Sequence, residues 1–144
     1  MMKYLYLLRL HQWTKNLLLF APLFFGFNFS LSNIVNCSIG FIIFSTAASA
    51  IYIFNDYHDI TEDREHPSKK SRPLSSGEIT IKNAFLLMYV LSVVAVAGGF
   101  ILSRSFFYYL LIYLSLNVLY SLKVKHVAIL DIILIAVCYV LRIF

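Results

Sequence analysis

Residues 55–63 read NDYHDITED, a polar stretch that begins where a long apolar run ends. Five of the chain's seven acidic residues lie here or within two positions of its end. If the segment continues a helix, Asp59 and Asp63 follow Asp56 at i+3 and i+7, so the three carboxylates share one face with Asn55 at its edge. Like charges repel unless cations lie between them. Because Mg²⁺ prefers hard oxygen ligands and also binds substrate phosphates, the spacing predicts a site for a metal and a diphosphate.

Composition predicts a membrane protein. The 144 residues are 60% hydrophobic and only 13% charged, whereas soluble domains have roughly 25% charged residues. The net charge of +5 would suit nucleic acid, but the basic residues separate apolar runs, so we expect no nucleic-acid binding. Cys37 and Cys138 are single cysteines in apolar segments without the spacing of a metal or redox site. We expect both to be packing residues.

Five apolar segments are long enough to cross a bilayer core, which requires roughly 20 helical residues. We expect Pro22 and Gly26 to kink the first of them, and we expect no removable signal peptide. The sequence therefore predicts an all-α, polytopic membrane helix bundle with about five transmembrane helices. The predicted spans are residues 16–34, 37–54, 83–102, 105–121 and 127–144.

The basic residues predict how the chain is oriented. Ten of the twelve Lys and Arg residues fall on one side of the predicted spans, and only Arg104 and Arg142 fall on the other. Because basic connections remain in the cytoplasm, we expect a multi-pass protein of the cell membrane with its Asp-rich segment cytoplasmic. That segment, residues 55–82, is expected to be a structured cap over a cavity, since Pro67 and Pro73 should stop any helix that enters it.

The NDxxDxxxD pattern resembles the first aspartate-rich motif of the UbiA family of intramembrane prenyltransferases. The resemblance continues through the basic residues after the motif to Gly77. In that family the motif binds a diphosphate through Mg²⁺. The resemblance therefore implies that Asp56, Asp59 and Asp63 are catalytic residues and metal ligands, and that Asn55 also contacts the diphosphate.

Two interpretations of the bases after the motif stay open. Arg64, Lys69, Lys70 and Arg72 can form charge-assisted hydrogen bonds with phosphate oxygens. Positive-inside topology alone would also place bases here, in a solvated loop whose acids balance its bases. We take Arg64, Lys69 and Arg72 as candidate substrate-binding residues.

Residues 9–16 read RLHQWTKN. They are similar to the RPxQWxKN segment of one UbiA branch, the decaprenyl-phosphate phosphoribosyltransferases of cell-wall synthesis, with Leu10 in place of the proline. On this resemblance Gln12, Lys15 and Asn16 bind substrate in the same cavity as the aspartates. The alternative is an interfacial tryptophan flanked by bases that reach the membrane surface.

Further polar residues surround the connection between the last two predicted spans. Tyr120, Lys123, Lys125 and Asp131 lie where the UbiA family places polar residues near its site. An acid inside an apolar run is a functional candidate, although Asp131 could equally pair with a nearby lysine. The second aspartate-rich motif of the family is not in this sequence, so we expect residues 1–144 to be a single helical domain from the N-terminal part of a larger UbiA-type bundle.

The resemblance implies a Mg²⁺-dependent transferase that moves phosphoribose from phosphoribosyl pyrophosphate to a polyprenyl phosphate such as decaprenyl phosphate. Two alternatives stay open. A UbiA-type aromatic prenyltransferase would use the same aspartates to bind a prenyl diphosphate and would transfer its chain to an aromatic acceptor. A non-catalytic membrane subunit would use the basic residues to bind an anionic lipid. The sequence also leaves a homo-oligomer open.

Overall fold

The computed structural model describes residues 2–122 and 128–142, and within these ranges all regular structure is helical. The predicted all-α class is confirmed. In chain order the helices are α1 (Met2–Leu7), a 3₁₀ helix (Leu10–Phe20), α2 (Ala21–Phe25), α3 (Leu31–His58), α4 (Ile60–Glu65), α5 (Ile81–Leu102), α6 (Arg104–Leu122) and α7 (Ala128–Val140). Of these described helices, α3, α5 and α6 are long and apolar enough to cross a membrane.

Helix α3 is the centre of the bundle and contacts the 3₁₀ helix, α5 and α6. The most apolar 18-residue stretch of α3 is 56% buried, whereas that of α5 is only 11% buried. Small side chains at residues 45–50 let neighbouring helices approach closely, as membrane helices commonly do. Immediately before them, Phe44 packs in a core with Leu110 and Tyr113 of α6. Polar residues at the end of α3 are therefore held by the most buried helix of the fold.

The first predicted span, residues 16–34, is wrong as a single helix. The chain instead forms the 3₁₀ helix, the short α2 and a turn before α3 begins. Pro22 lies in the first turn of α2, where its missing N–H costs no helical hydrogen bond, and so a new helix starts there. The Ser30 hydroxyl accepts a hydrogen bond from the Asn33 backbone N–H at 3.3 Å and caps the start of α3.

The other predicted spans have different outcomes. Helix α3 extends beyond 37–54 at both ends, whereas α5 and α6 confirm 83–102 and 105–121 to within one helical turn. The span at 127–144 falls partly outside the described residues, and its described helix, α7, has 13 residues. The number of five transmembrane helices therefore stays a prediction.

The predicted cap loop, residues 55–82, is also wrong in its first third, because that part is helical. The Asp59 N–H donates to the Asn55 carbonyl at 3.0 Å, and the Asp63 N–H donates to the Asp59 carbonyl at 2.8 Å. These bonds carry the helical path from α3 into α4 with only a short break at Asp59. The Asp-rich motif thus lies on helix, and the connection itself is limited to residues 66–80.

The connection at 66–80 is nevertheless folded, as expected. Leu74 and Ile79 are buried in a core that they share with Leu7 of α1. The Ile79 N–H donates to the Pro73 carbonyl at 3.0 Å and closes the turn. Gly77 adopts a φ of +78°, which a residue without a Cβ reaches without strain. The connection is therefore held against α1 and the end of α3.

Candidate functional site

Two aspartates of the motif are buried together where α3 passes into α4. Asp56 is 2% exposed and Asp63 is 1% exposed. Arg72 joins them, because its Nη1 donates to Asp56 Oδ1 at 3.2 Å and to Asp63 Oδ2 at 2.6 Å. A buried carboxylate is costly unless it has a charged or hydrogen-bonding partner. Arg72 therefore makes the burial of both acids tolerable.

Two further cations pair with the same carboxylates. Arg9 lies between α1 and the 3₁₀ helix, and its guanidinium pairs with Asp56 Oδ1 and lies 5.1 Å from the centre of the Tyr52 ring. The Nζ of Lys69 lies 3.9 Å from Asp63 Oδ1. Lys69 was a predicted site residue, whereas Arg9 was not. Its only signal was its position at the start of the RLHQWTKN segment.

A cavity of about 250 Å³ lies beside this cluster, and we call it the ion-pair cavity. Its lining contains five of the cluster and candidate residues, Arg9, Gln12, Asp56, Lys69 and Arg72, together with Tyr6, His11, Ser68 and Pro73. The side-chain oxygen of Gln12 is buried and has no hydrogen-bond partner within the described part of the chain. The residues that line the ion-pair cavity therefore include a glutamine with an unsatisfied oxygen and the paired carboxylate of Asp56.

A second cavity of about 270 Å³ adjoins the same end of α3, and we call it the cationic cavity. Lys15 and Asn55, both predicted site residues, line it with Tyr120, while Asn55 Oδ1 also accepts a hydrogen bond from the Ser121 hydroxyl. Among the side chains that the structure describes, the lining includes the cations Lys15 and Arg142 but no carboxylate. Its other members are Tyr52, Tyr113, Asn117, Leu134, Ile135, Cys138 and Tyr139.

Gln12, Lys15 and Asn16 were predicted to line one cavity, but the structure places them apart. Gln12 lines the ion-pair cavity and Lys15 lines the cationic cavity. Asn16 is in the lining of neither, since it is only 2% exposed and its Nδ2 donates to the Ser45 hydroxyl at 3.0 Å. Its Oδ1 accepts from Arg142 Nε at 3.0 Å. Asn16 thus holds another side chain in place.

The structure places Arg142 inside the bundle. The sequence counted it with Arg104 on the far side of the predicted spans, but its side chain is only 7% exposed. Its guanidinium carbon is 4.7 Å from the centre of the Tyr139 ring and 5.6 Å from that of Tyr113. The hydrogen bond with Asn16 and this ring contact retain the charge in the interior.

The remaining candidates have separate outcomes. The Arg64 Nε donates to the Ser75 carbonyl at 3.2 Å, so this guanidinium holds the 66–80 connection. Asp59 lies at the junction of α3 and α4. Lys123 and Lys125 lie outside the described residues, as does the side chain of Asp131.

The side chains of the motif have the chemistry to bind Mg²⁺, but the structure does not arrange them as a metal site. In residues 2–122 and 128–142 no three His, Cys, Asp or Glu side chains form a group that could hold a metal. Asp56 and Asp63 are nevertheless brought together by Arg72, and the unsatisfied Gln12 oxygen lines the adjacent cavity. Carboxylate and amide oxygens are suitable Mg²⁺ ligands. A bound cation would have to take over part of the charge balance that the arginines now provide.

Comparison with known proteins identifies a family and relatives of this chain. The model of the UbiA prenyltransferase family matches residues 13–144. The decaprenyl-phosphate phosphoribosyltransferase of Mycobacterium tuberculosis is 34% identical over 140 residues, which cover 94% of this chain and 46% of that protein. An uncharacterized protein of Sinorhizobium fredii, y4nM, is 36% identical over 137 residues, which cover 94% of this chain and 27% of that protein.

The fold agrees as well. The solved structure of a UbiA homolog from Archaeoglobus fulgidus bound to GPP and Mg²⁺ matches with a TM-score of 0.82 at 28% identity, covering 99% of this chain and 52% of that one. This chain spans about half the length, or less, of these relatives. Its spanning-length helices and its fold are those of a membrane protein. On the match of the family model and on the fold, the chain belongs to the UbiA prenyltransferase family.

Proposed function

We propose that the protein containing this chain transfers phosphoribose from phosphoribosyl pyrophosphate to a polyprenyl phosphate such as decaprenyl phosphate, with Mg²⁺, at the cytoplasmic side of the cell membrane. The observation that carries the proposal is the pairing of the buried Asp56–Asp63 cluster with a cavity lined by Lys15 and Arg142. A prenyl chain is apolar and makes no favourable contact with two cations, whereas a phosphorylated sugar does. The relatives named decaprenyl-phosphate phosphoribosyltransferase support the same substrates.

In this proposal the motif binds the diphosphate end of the donor. Asn55, Asp56, Asp59 and Asp63 would hold Mg²⁺, which when bound would neutralise the diphosphate and favour its departure. Arg72 and Lys69, which now pair with the carboxylates, would donate instead to phosphate oxygens. Arg64 would keep the 66–80 connection in position through its bond to Ser75.

The transfer exchanges one C–O bond for another. The bond between the sugar C1 and the diphosphate breaks, and the diphosphate leaves with the electron pair. A phosphate oxygen of the lipid forms the new bond to C1. We propose that Gln12, Lys15, Asn16 and Tyr120 position the substrates around the two cavities. Lys123, Lys125 and Asp131 stay predicted substrate-binding residues beyond the described side chains.

The test measures transfer from labelled phosphoribosyl pyrophosphate to a polyprenyl phosphate by the full-length protein in detergent. Product should form with Mg²⁺ and should disappear when the metal is chelated. Asp56→Asn should reduce the rate more than about a hundredfold, because one charge that binds the leaving group is lost. Glu65→Gln, which removes an exposed acid just beyond the motif, is the matched control and should retain the rate. Undiminished transfer by Asp56→Asn would contradict the proposal.

A second function is favoured by one specific observation. The Archaeoglobus fulgidus homolog was solved with GPP, which is a prenyl diphosphate. A third cavity of about 310 Å³, lined largely by apolar residues that include Leu19, Phe106 and Leu141, would suit a prenyl chain. An aromatic prenyltransferase would form product from GPP and an aromatic acid acceptor, and no phosphoribosyl product. Lipid binding without metal dependence or turnover would indicate the binding subunit instead.

A further inference from the structure

We propose that Arg142, supported by Lys15, forms a second anion subsite that binds a phosphate monoester group of a substrate. The proposal rests on the proposed function and deepens it, because both substrates of that reaction carry such a group. Phosphoribosyl pyrophosphate carries its 5-phosphate, and the polyprenyl acceptor carries its lipid phosphate. The subsite is separate from the aspartates, which serve the diphosphate.

Arg142 is a buried cation with no carboxylate partner among the described side chains. The residue is only 7% exposed, and no Asp or Glu whose side chain the structure describes forms an ion pair with it. A cation inside a membrane bundle is costly without a counter-charge, and such residues commonly mark ligand sites. The rings of Tyr113 and Tyr139 attract the guanidinium but cannot neutralise it. An anionic ligand would supply the counter-charge.

The guanidinium is held in position before any ligand binds. Arg142 Nε donates to Asn16, and Asn16 in turn donates to Ser45 on the central helix α3. Ser45 is completely buried, so this chain of bonds is fixed to the interior of the bundle. The guanidinium also hydrogen-bonds with the Tyr113 side chain, and its remaining N–H groups can donate to oxygens of a phosphate. A preorganised guanidinium loses little freedom when an anion binds.

Arg142 lies between two cavities. It lines the cationic cavity of about 270 Å³ and also the largely apolar cavity of about 310 Å³. A sugar phosphate would approach it from the first cavity, beside Lys15 and Asn55. A lipid phosphate would approach it with its chain in the second, beside Phe106. The shared chemistry is a phosphate monoester, and experiment can distinguish its two sources.

The test measures binding without turnover. The full-length protein in nanodiscs of zwitterionic lipid is titrated with ribose 5-phosphate and, separately, with a short-chain polyprenyl phosphate, both without Mg²⁺. Arg142→Gln should weaken the binding of at least one ligand about tenfold or more, because a charged hydrogen-bonding partner is lost. Arg142→Lys should recover part of the affinity. Arg104→Gln, an exposed arginine at the start of α6, is the matched control and should bind like the wild type.

The pattern of loss identifies the source of the phosphate. Weaker binding of ribose 5-phosphate alone assigns the subsite to the donor, and weaker binding of the lipid alone assigns it to the acceptor. The proposal is overturned if the wild type binds neither ligand. It is also overturned if folded Arg142→Gln binds both ligands as tightly as the wild type does. If Arg142→Gln does not fold, Lys15→Gln and Arg142→Lys are measured instead. Wild-type affinity for both ligands in both of these variants would also overturn the proposal.

Turnover separates this inference from the proposed reaction. In the transfer assay, Arg142→Gln should raise the KM of one substrate about tenfold with a smaller change in kcat. Absence of transfer by the wild type, with phosphate binding that still depends on Arg142, would contradict the reaction and leave the subsite standing. Transfer by Arg142→Gln with wild-type KM for both substrates would contradict the subsite and leave the reaction standing.

Discussion

The ion-pair cavity and the cationic cavity adjoin the same end of α3 and have similar volumes, about 250 and 270 Å³. Their charges differ. Asp56 lines the first, where it and the adjacent buried Asp63 form ion pairs with three cations, Arg9, Lys69 and Arg72. In the second, two cations line the wall, and no carboxylate whose side chain the structure describes lies beside them. The difference indicates that the first charge set stabilises the folded protein and must rearrange when a ligand binds, whereas the second can accept an anion directly.

The largest effect on stability is expected in the ion-pair cavity. Arg72→Gln removes the side chain that bridges two buried carboxylates, and it should lower the free energy of unfolding by about 3 kcal/mol. Thermal unfolding in detergent, followed by circular dichroism, measures the loss. Lys70→Gln, an exposed neighbour, should change stability by no more than about 0.5 kcal/mol.

A double variant sharpens this prediction. Arg72→Gln combined with Asp63→Asn removes a positive and a negative charge together, so it should be less destabilised than the sum of the two single variants. Additive losses would show that the pairing in the ion-pair cavity carries no stability. The contrast between the two cavities would then not hold.

An intermediate effect is expected at the support of the cationic cavity. Asn16→Ala leaves Ser45 and Arg142 without the amide that joins them, and it should lower stability by about 1–3 kcal/mol. Thr14→Ala on the same 3₁₀ helix removes only an exposed hydroxyl bonded to the His11 carbonyl and serves as control. Equal melting temperatures for the two variants would indicate that Asn16 does not position Arg142.

The smallest effect on stability is expected at Lys15. Its side chain is exposed and has no ion-pair partner within the described ranges, so Lys15→Gln should change the free energy of unfolding by less than about 0.5 kcal/mol. The KM of a phosphorylated substrate should nevertheless rise several-fold. Lys82→Gln, an exposed lysine in the first turn of α5, should leave KM unchanged. A large loss of stability in Lys15→Gln would show that the cationic cavity, too, is charged for structural reasons.

The sequence predicted the helical class and the acidic motif well, because both depend on short-range patterns. The apolar runs at 83–102 and 105–121 became α5 and α6 with nearly the same ends. The shared helical face predicted that the carboxylates would lie together, and Asp56 and Asp63 do, whereas Asp59 at the end of α3 is only partly buried. The prediction of the first span was wrong for a local reason, because apolar composition alone does not show where one helix ends and the next begins. The 3₁₀ helix ends at Phe20, just before the helix that contains Pro22, and Ser30 caps the start of α3.

Local pattern was thus sufficient for the membrane class and for the aspartates that organise the candidate site. The tertiary fold decided which charges meet. Arg9 and Asp56 are 47 positions apart, and Arg142 and Asn16 are 126 positions apart. Helical periodicity relates residues only a few turns from one another, so it cannot show which arginines pair with the buried aspartates or that Asn16 holds Arg142. Those pairings arise from the packing of the 3₁₀ helix against α3 and of α7 against α6.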